Sequence, residues 1–195
     1  MKKKITLSLI PVLGVIALTF TSCSQSTAKA PATPVTASSP TVLTVVEANQ
    51  TKTYSLADLE ALPAVSGYGG QIAPDNSING PYTYQGVALT TLLNAVGGIT
   101  SDQKVKITGS DNYSETLSYQ QVTADNFILY DSSTGQQSTA AEMTPQVFVA
   151  YEKDGAMLTG DNGPFEFGIM TCQKRVTQSS LWVKKLIKIE VVAAK

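Results

Sequence analysis

From position 42 onward the chain places apolar and polar residues in short alternating runs, separated by clusters of turn residues. Val42–Ala48 alternates as a strand, Asn49-Gln50 reads as a turn, and Lys52–Tyr54 returns. Ser55, with Asp58 three residues on, forms a capping-box pattern for a short helix that Pro63 ends. Val65–Ile72 is rich in glycine and fits neither the helical nor the strand period, and Tyr82–Gln85 predicts a brief strand. Gly86–Gly97 then takes up the helical period. Leu89, Leu92, Leu93 and Val96 fall on one face, and Gly97 supplies a C-cap. Lys104–Thr108 and Tyr113–Leu117 flank Gly109-Ser110-Asp111-Asn112 and predict a hairpin. Phe127–Tyr130 and Val147–Tyr151 predict strands on either side of a polar loop, Asp131–Pro145.

The clearest pattern lies between Phe148 and Met170. A strand, Phe148–Tyr151, runs into Lys153-Asp154-Gly155, where Asp-Gly is a strong tight-turn signal. A second turn cluster, Gly160–Pro164, leads to an alternating run in which Phe165, Phe167 and Ile169 share one strand face. Trp182–Val192 alternates in the same way and predicts the last strand, with Trp182 in the core. Runs of strands with a few short helices predict an α+β domain over 41–195.

The start of the chain predicts an address rather than a fold. Lys2-Lys3-Lys4 is a cationic stretch, followed by the apolar run Ile5–Phe20. That run is shorter than the roughly 20 residues a membrane-spanning helix needs, so 1–22 reads as a removable export signal. Phe20-Thr21-Ser22-Cys23 is similar to a bacterial lipobox, in which the cysteine thiol is acylated and becomes the new N-terminus. The expectation is therefore an extracytoplasmic lipoprotein anchored to the cell membrane through Cys23. Residues 23–40 are dominated by Ser, Thr, Ala and Pro. Such a segment buries too little apolar surface to offset its ordering entropy and reads as a flexible tether.

Charge removes one class of partner. Fifteen acidic residues against fourteen Lys and Arg give a formal net charge of −1, and losing Lys2–Lys4 makes the remainder more acidic. That balance argues against nucleic acid as a partner. The absence of histidine excludes Ser-His-Asp and Cys-His catalysis and histidine-based metal sites. Asp154, Asp161 and Glu166 could gather around calcium, but acids beside glycine are ordinary turn formers, so no metal site is expected.

Several motifs in sequence order resemble the molybdopterin-binding domain of the sulfite oxidase family. They are Tyr54–Leu59 (YSLADL), Tyr84–Leu93 (YQGVALTTLL), Gly109–Tyr113 (GSDNY), Ala150-Tyr151 with Gly155 and Leu158, Gly163-Pro164, and Val183–Val191 (VKKLIKIEV). The resemblance implies a sulfite-oxidase-like mixed β-sheet domain. It also implies a molybdenum cofactor held by a cysteine thiolate ahead of the second helix, with cationic side chains on the pterin phosphate.

This sequence departs from that ligand set. Val65–Pro81 contains no cysteine, Arg175 is the single arginine, and Glu166 stands where the family carries an arginine after Gly-Pro. A carboxylate there would repel phosphate. Cys172, the one thiol besides Cys23, lies beside Lys174 and Arg175. It reads either as an activated thiol or as a small half-buried residue at a strand end. Tyr68, Tyr82, Tyr84 and Tyr113 fall in segments that border the family's cofactor cleft, and Lys184 and Arg175 are the cations able to approach Glu166 along with Lys174. These positions are the candidate ligand-binding residues. The expected function is a membrane-tethered module that has lost cofactor ligation and binds a small ligand or a partner protein. The alternative is a molybdopterin-dependent oxidoreductase, or a subunit of one, with unusual ligation.

Overall fold

The computed structural model describes residues 42–123, 126–138 and 145–194, all within one compact unit, Ser38–Lys195. The export signal 1–22, Cys23 and the tether 23–40 lie outside the described residues, as does the 139–144 part of the polar loop. Among the described residues no helix is long and apolar enough to cross a membrane.

The first sheet holds β1 (Leu43–Glu47), β2 (Gln50–Tyr54), β5 (Gln103–Gly109), β6 (Ser114–Ser118) and β12 (Leu186–Ala193), in the order β2-β1-β12-β5-β6. The pairing of β1 with β12 is parallel and brings the two ends of the domain together, Val45 against Ile189. The other pairings are antiparallel. Leu43, Val45, Val105, Ile107, Leu117 and Ile189 turn one face of this sheet into the core, as strand alternation requires.

The second sheet is built on β3 (Ala64–Ile72), β4 (Ile78–Ala88), β8 (Gln146–Lys153) and β10 (Glu166–Thr171). Short strands β7 (Tyr130–Asp131), β9 (Ala156–Met157) and β11 (Arg175–Gln178) lie on its margins. Its order runs β10-β8-β4-β3, and β10 pairs again with β3 through Met170 and Gly69, closing these four strands on themselves. The two sheets are stitched at β10, where Phe167 and Val183 exchange backbone hydrogen bonds and Leu186 donates to the Phe165 carbonyl. Trp182, 4% exposed, lies across Gly69 and Gly168. A Cβ at Gly168 would come within 2.3 Å of the indole, so glycine is what lets the ring lie flat on β10.

Three short helices complete the described fold: α1 (Leu56–Glu60), α2 (Leu89–Asn94) and α3 (Tyr119–Thr123). The α+β fold expected from the sequence is the fold observed, and the Ser55–Asp58 capping box forms in both directions at α1. The second helix is shorter than Gly86–Gly97. Gly86, Val87 and Ala88 remain in β4, paired with Ala150, Val149 and Phe148, and the amides of Val96 and Gly98 both donate to the Leu93 carbonyl, which ends the helix early. Its predicted face is correct: Leu89, Leu92, Leu93 and Val96 are all buried.

Other expectations need correction. The glycine-rich 65–72 stretch is a full strand, and β4 has 11 residues rather than the brief run expected. The strand expected at Phe127–Tyr130 begins at Tyr130. Trp182 caps a short 3-10 turn, Ser179–Leu181, ahead of the last strand rather than starting it. Phe165, Phe167 and Ile169 are buried as expected, and so is every residue of β10 from Glu166 to Thr171.

Candidate functional site

Two β-bulges decide which side chains meet. Paired residues share a sheet face, and in β8 the partners of Tyr84 and Gly86 are Lys153 and Ala150, three residues apart. The extra residue between them turns Lys153 onto the face of Ala150. Ala150 in turn pairs with Glu166, and Phe148 with Gly168. Tyr82, Tyr84, Phe148, Lys153 and Glu166 therefore share one face of the closed four-strand unit. The rings meet accordingly, Tyr84 lying 5.7 Å from Phe148 and 6.5 Å from Tyr82 edge to face, and 5.4 Å from Trp182 at a tilt, between centroids.

At the edge of this cluster a cleft of about 440 Å³ is lined by Ser66, Gly67, Tyr68, Thr83, Tyr84 and Cys172. Three residues expected at a ligand site, Tyr68, Tyr84 and Cys172, thus come together, and Tyr82 adjoins them through Tyr84. The wall at Thr83 is pinned from the turn after β8. The Thr83 amide and hydroxyl donate to Asp154 Oδ1 at 2.8 and 3.0 Å, and the Asp154 amide donates back to the Thr83 carbonyl at 2.8 Å. That anchored turn holds the Lys153 ammonium 3.4 Å from the centre of the Tyr82 ring and 5.7 Å from that of Tyr84. From the other side, the Lys174 ammonium lies 5.7 Å from the Tyr68 ring centre. Both are cation–π distances.

Glu166 is the buried charge of the cluster, 1% exposed. Its Oε2 has no hydrogen-bond partner, and among the described residues no cation stands within ion-pair distance of it. Burial raises its carboxyl to about 7, against the smaller opposing pull of Lys153 and Lys184. Burial also raises the Tyr84 phenol well above its ordinary value, with the nearby Glu166 adding to it. It lowers the Lys153 ammonium, which Glu166 and Asp154 partly restore.

The remaining candidates lie elsewhere or act differently than expected. Glu166 does not face an open cleft but is buried within β10. Cys172 is exposed rather than half-buried. Arg175 is engaged by Asp131, to which its Nη1 donates, so it does not approach Glu166. Tyr113 lies at the β5–β6 turn, where its hydroxyl donates to the Ser180 carbonyl at 2.7 Å, and it does not line the cleft. Lys184 is exposed beside β10. The three acids considered for calcium are apart in their roles: Asp154 holds Thr83, Asp161 pairs with Lys185 at 3.0 Å, and Glu166 is buried. Among the described residues no three His, Cys, Asp or Glu stand together as a metal site.

Sequence reasoning did not single out Lys153, Ser66 or Thr83. The Asp-Gly turn marked the end of β8, but the bulge that aims Lys153 has no signature in the alternation pattern. A second cavity, about 350 Å³, lies where β3 ends beside β11 and is lined by Ile72, Asn76, Tyr130, Gln178, Ser179 and Ser180 among others.

No protein-family model and no curated protein matches the sequence. The fold is similar to the crystal structure of the sulfane dehydrogenase SoxCD from Paracoccus pantotrophus, with a TM-score of 0.55 and 14% sequence identity. The match covers 79% of this chain and 38% of that one, so the chain spans well under half the length of the protein it resembles. With the mixed sheets and short helices described above, this likeness shows a distant fold relationship: the chain has an α+β, sulfite-oxidase-like fold.

Proposed function

We propose that this chain is an exported lipoprotein, tethered to the membrane through Cys23, whose sulfite-oxidase-like domain binds a small ligand in the Tyr68–Tyr84 cleft without a molybdenum cofactor. The observation that carries the loss of cofactor is Glu166. Where the family resemblance implies a cation for the pterin phosphate, a buried carboxylate oxygen stands with no partner. Burial pushes that carboxyl toward its neutral form, so the position supplies no positive charge for a phosphate. The single guanidinium of the chain is already engaged with Asp131, and β3 offers no thiolate. The residues present therefore do not fit molybdopterin. The observation that favours ligand binding is the cleft itself, lined by Ser66, Tyr68, Thr83, Tyr84 and Cys172 and within the usual size range of small-molecule sites.

A second reading, a molybdopterin-dependent oxidoreductase with unusual ligation, draws on one observation: the exposed thiol of Cys172 lines the same cleft. Elemental analysis separates the two. Full-length chain, extracted from the membranes of cells that make molybdopterin and supplied with molybdate, is expected to be folded, colourless and free of molybdenum. One molybdenum per chain with a pterin absorbance would replace the first reading by the second.

A further inference from the structure

The cavity where β3 ends beside β11 shares no lining residue with the Tyr68–Tyr84 cleft. Register explains which side chains meet there. Gln178 pairs with Ile72, and Val176, two residues earlier on β11, pairs with Tyr130. Ile72, Gln178 and Tyr130 therefore share one face of β3, β11 and β7. The Gln178 side-chain amide accordingly donates to the Tyr130 hydroxyl at 3.3 Å. Buried Ile72 supplies an apolar floor, and Pro74 extends it into the β3–β4 turn.

The segments around this face are held from behind. In the β3–β4 turn the Ala73 amide donates to the Ser77 carbonyl, the Asn76 amide donates to the Ala73 carbonyl, and Asp75 Oδ1 accepts from the Ser77 amide and hydroxyl. Asn76 holds a φ of 64° there, in the left-handed region that asparagine tolerates. Beyond Tyr130, Asp131 accepts from the amides of Ser133 and Thr134 and is paired with Arg175. The 3-10 turn is fixed by the Tyr113 hydroxyl, which donates to the Ser180 carbonyl at 2.7 Å. Such anchoring gives a site that is formed before its ligand arrives.

Among the described residues that line the cavity, none is charged. A charged ligand would shed hydration there and gain no counter-charge. Asn76, Gln178, Ser179, Ser180 and Tyr130 can each donate and accept hydrogen bonds. The side chains of Asn76, Ser179 and Ser180 have no hydrogen-bond partner among the described residues. An apolar ligand would displace their water and return nothing. A ligand with hydroxyls around its edge and C–H groups on its face satisfies both the polar rim and the apolar floor. We propose that this cavity binds a neutral saccharide, its ring against Tyr130 and its hydroxyls on Asn76, Gln178 and the two serines. The site is additional to the Tyr68–Tyr84 cleft and does not depend on the reading of that cleft.

The probes are the methyl glycosides of glucose, galactose and N-acetylglucosamine, titrated into full-length chain in a sugar-free detergent. NMR follows the side-chain amide signals of Asn76 and Gln178, which report on this cavity alone. At least one glycoside is expected to shift both signals saturably at millimolar concentration. Asn76→Gly keeps the turn, because glycine adopts the same φ, and should weaken binding by on the order of fivefold, as should Gln178→Ala. Tyr130→Ala should abolish it. A blocked neutral tripeptide is expected to leave the signals in place, and a tripeptide that shifts them as strongly as the glycosides would overturn the saccharide class. Absence of saturable shifts with all three glycosides at tens of millimolar would overturn the site. So would an affinity unchanged in both Asn76→Gly and Gln178→Ala.

Discussion

Replacing Glu166 by glutamine tests the central electrostatic feature of the fold with a nearly isosteric change. Burial raises the Glu166 carboxyl from 4.5 to about 7, so the folded state holds this proton more tightly than the unfolded chain. A group shifted upward contributes stability that is fully present below about pH 4.5 and is lost as pH rises through about 7. Integrating between pH 5 and pH 8 gives a loss of about 2–3 kcal/mol from this one carboxyl. Glutamine keeps the shape and has no charge to desolvate, so Glu166→Gln should lack that loss. Urea unfolding at the two pH values measures it, and comparing variant with parent cancels every other titrating group. The expected outcome is a variant whose stability relative to the parent is about 2–3 kcal/mol greater at pH 8 than at pH 5. A relative stability constant to within about 0.5 kcal/mol, the ordinary surface value, would refute the argument: Glu166 would then be solvated or paired in solution.

Three further outcomes follow from packing and processing. Leu92 is fully buried on α2, so Leu92→Ala should cost about 2–5 kcal/mol in denaturant unfolding; a loss below about 0.5 kcal/mol would mean that face is not packed. Gly168→Ala places a methyl group against the Trp182 ring and should cost about 1–3 kcal/mol with a shift in tryptophan fluorescence. An unchanged spectrum and stability would show that the indole does not lie on β10. Cys23→Ser should abolish acylation and move the folded domain out of the membrane fraction. A processed protein of unchanged mobility in that fraction would contradict lipid anchoring.

Much of the fold was legible because its elements announce themselves locally. The capping box at Ser55, the leucine face of α2, the hairpin at Gly109–Tyr113 and the Asp-Gly turn after β8 all rest on short-range chemistry. What the alternation pattern could not supply was the second layer of packing. The alternation put Phe165, Phe167 and Ile169 on one strand face but said nothing of what covers the other, where Trp182, 14 positions from Gly168 in sequence, lies on that glycine and Glu166 is buried. The site was legible in part for the same reason. Tyr68, Tyr84 and Cys172 meet at the cleft, but Tyr113 and Arg175 find partners in Ser180 and Asp131 that only the tertiary structure supplies. Lys153 escaped because a bulge changes the parity of β8, and parity is what a sequence pattern assumes.

Titrating isolated molybdopterin into the metal-free full-length chain in a calorimeter decides whether the proposed loss of cofactor binding holds. With a buried carboxylate in place of the cation that the family resemblance implies, and no thiolate in β3, affinity should be no better than about millimolar, near −4 kcal/mol. Stoichiometric binding at micromolar or tighter concentration would contradict the account and return the chain to cofactor chemistry.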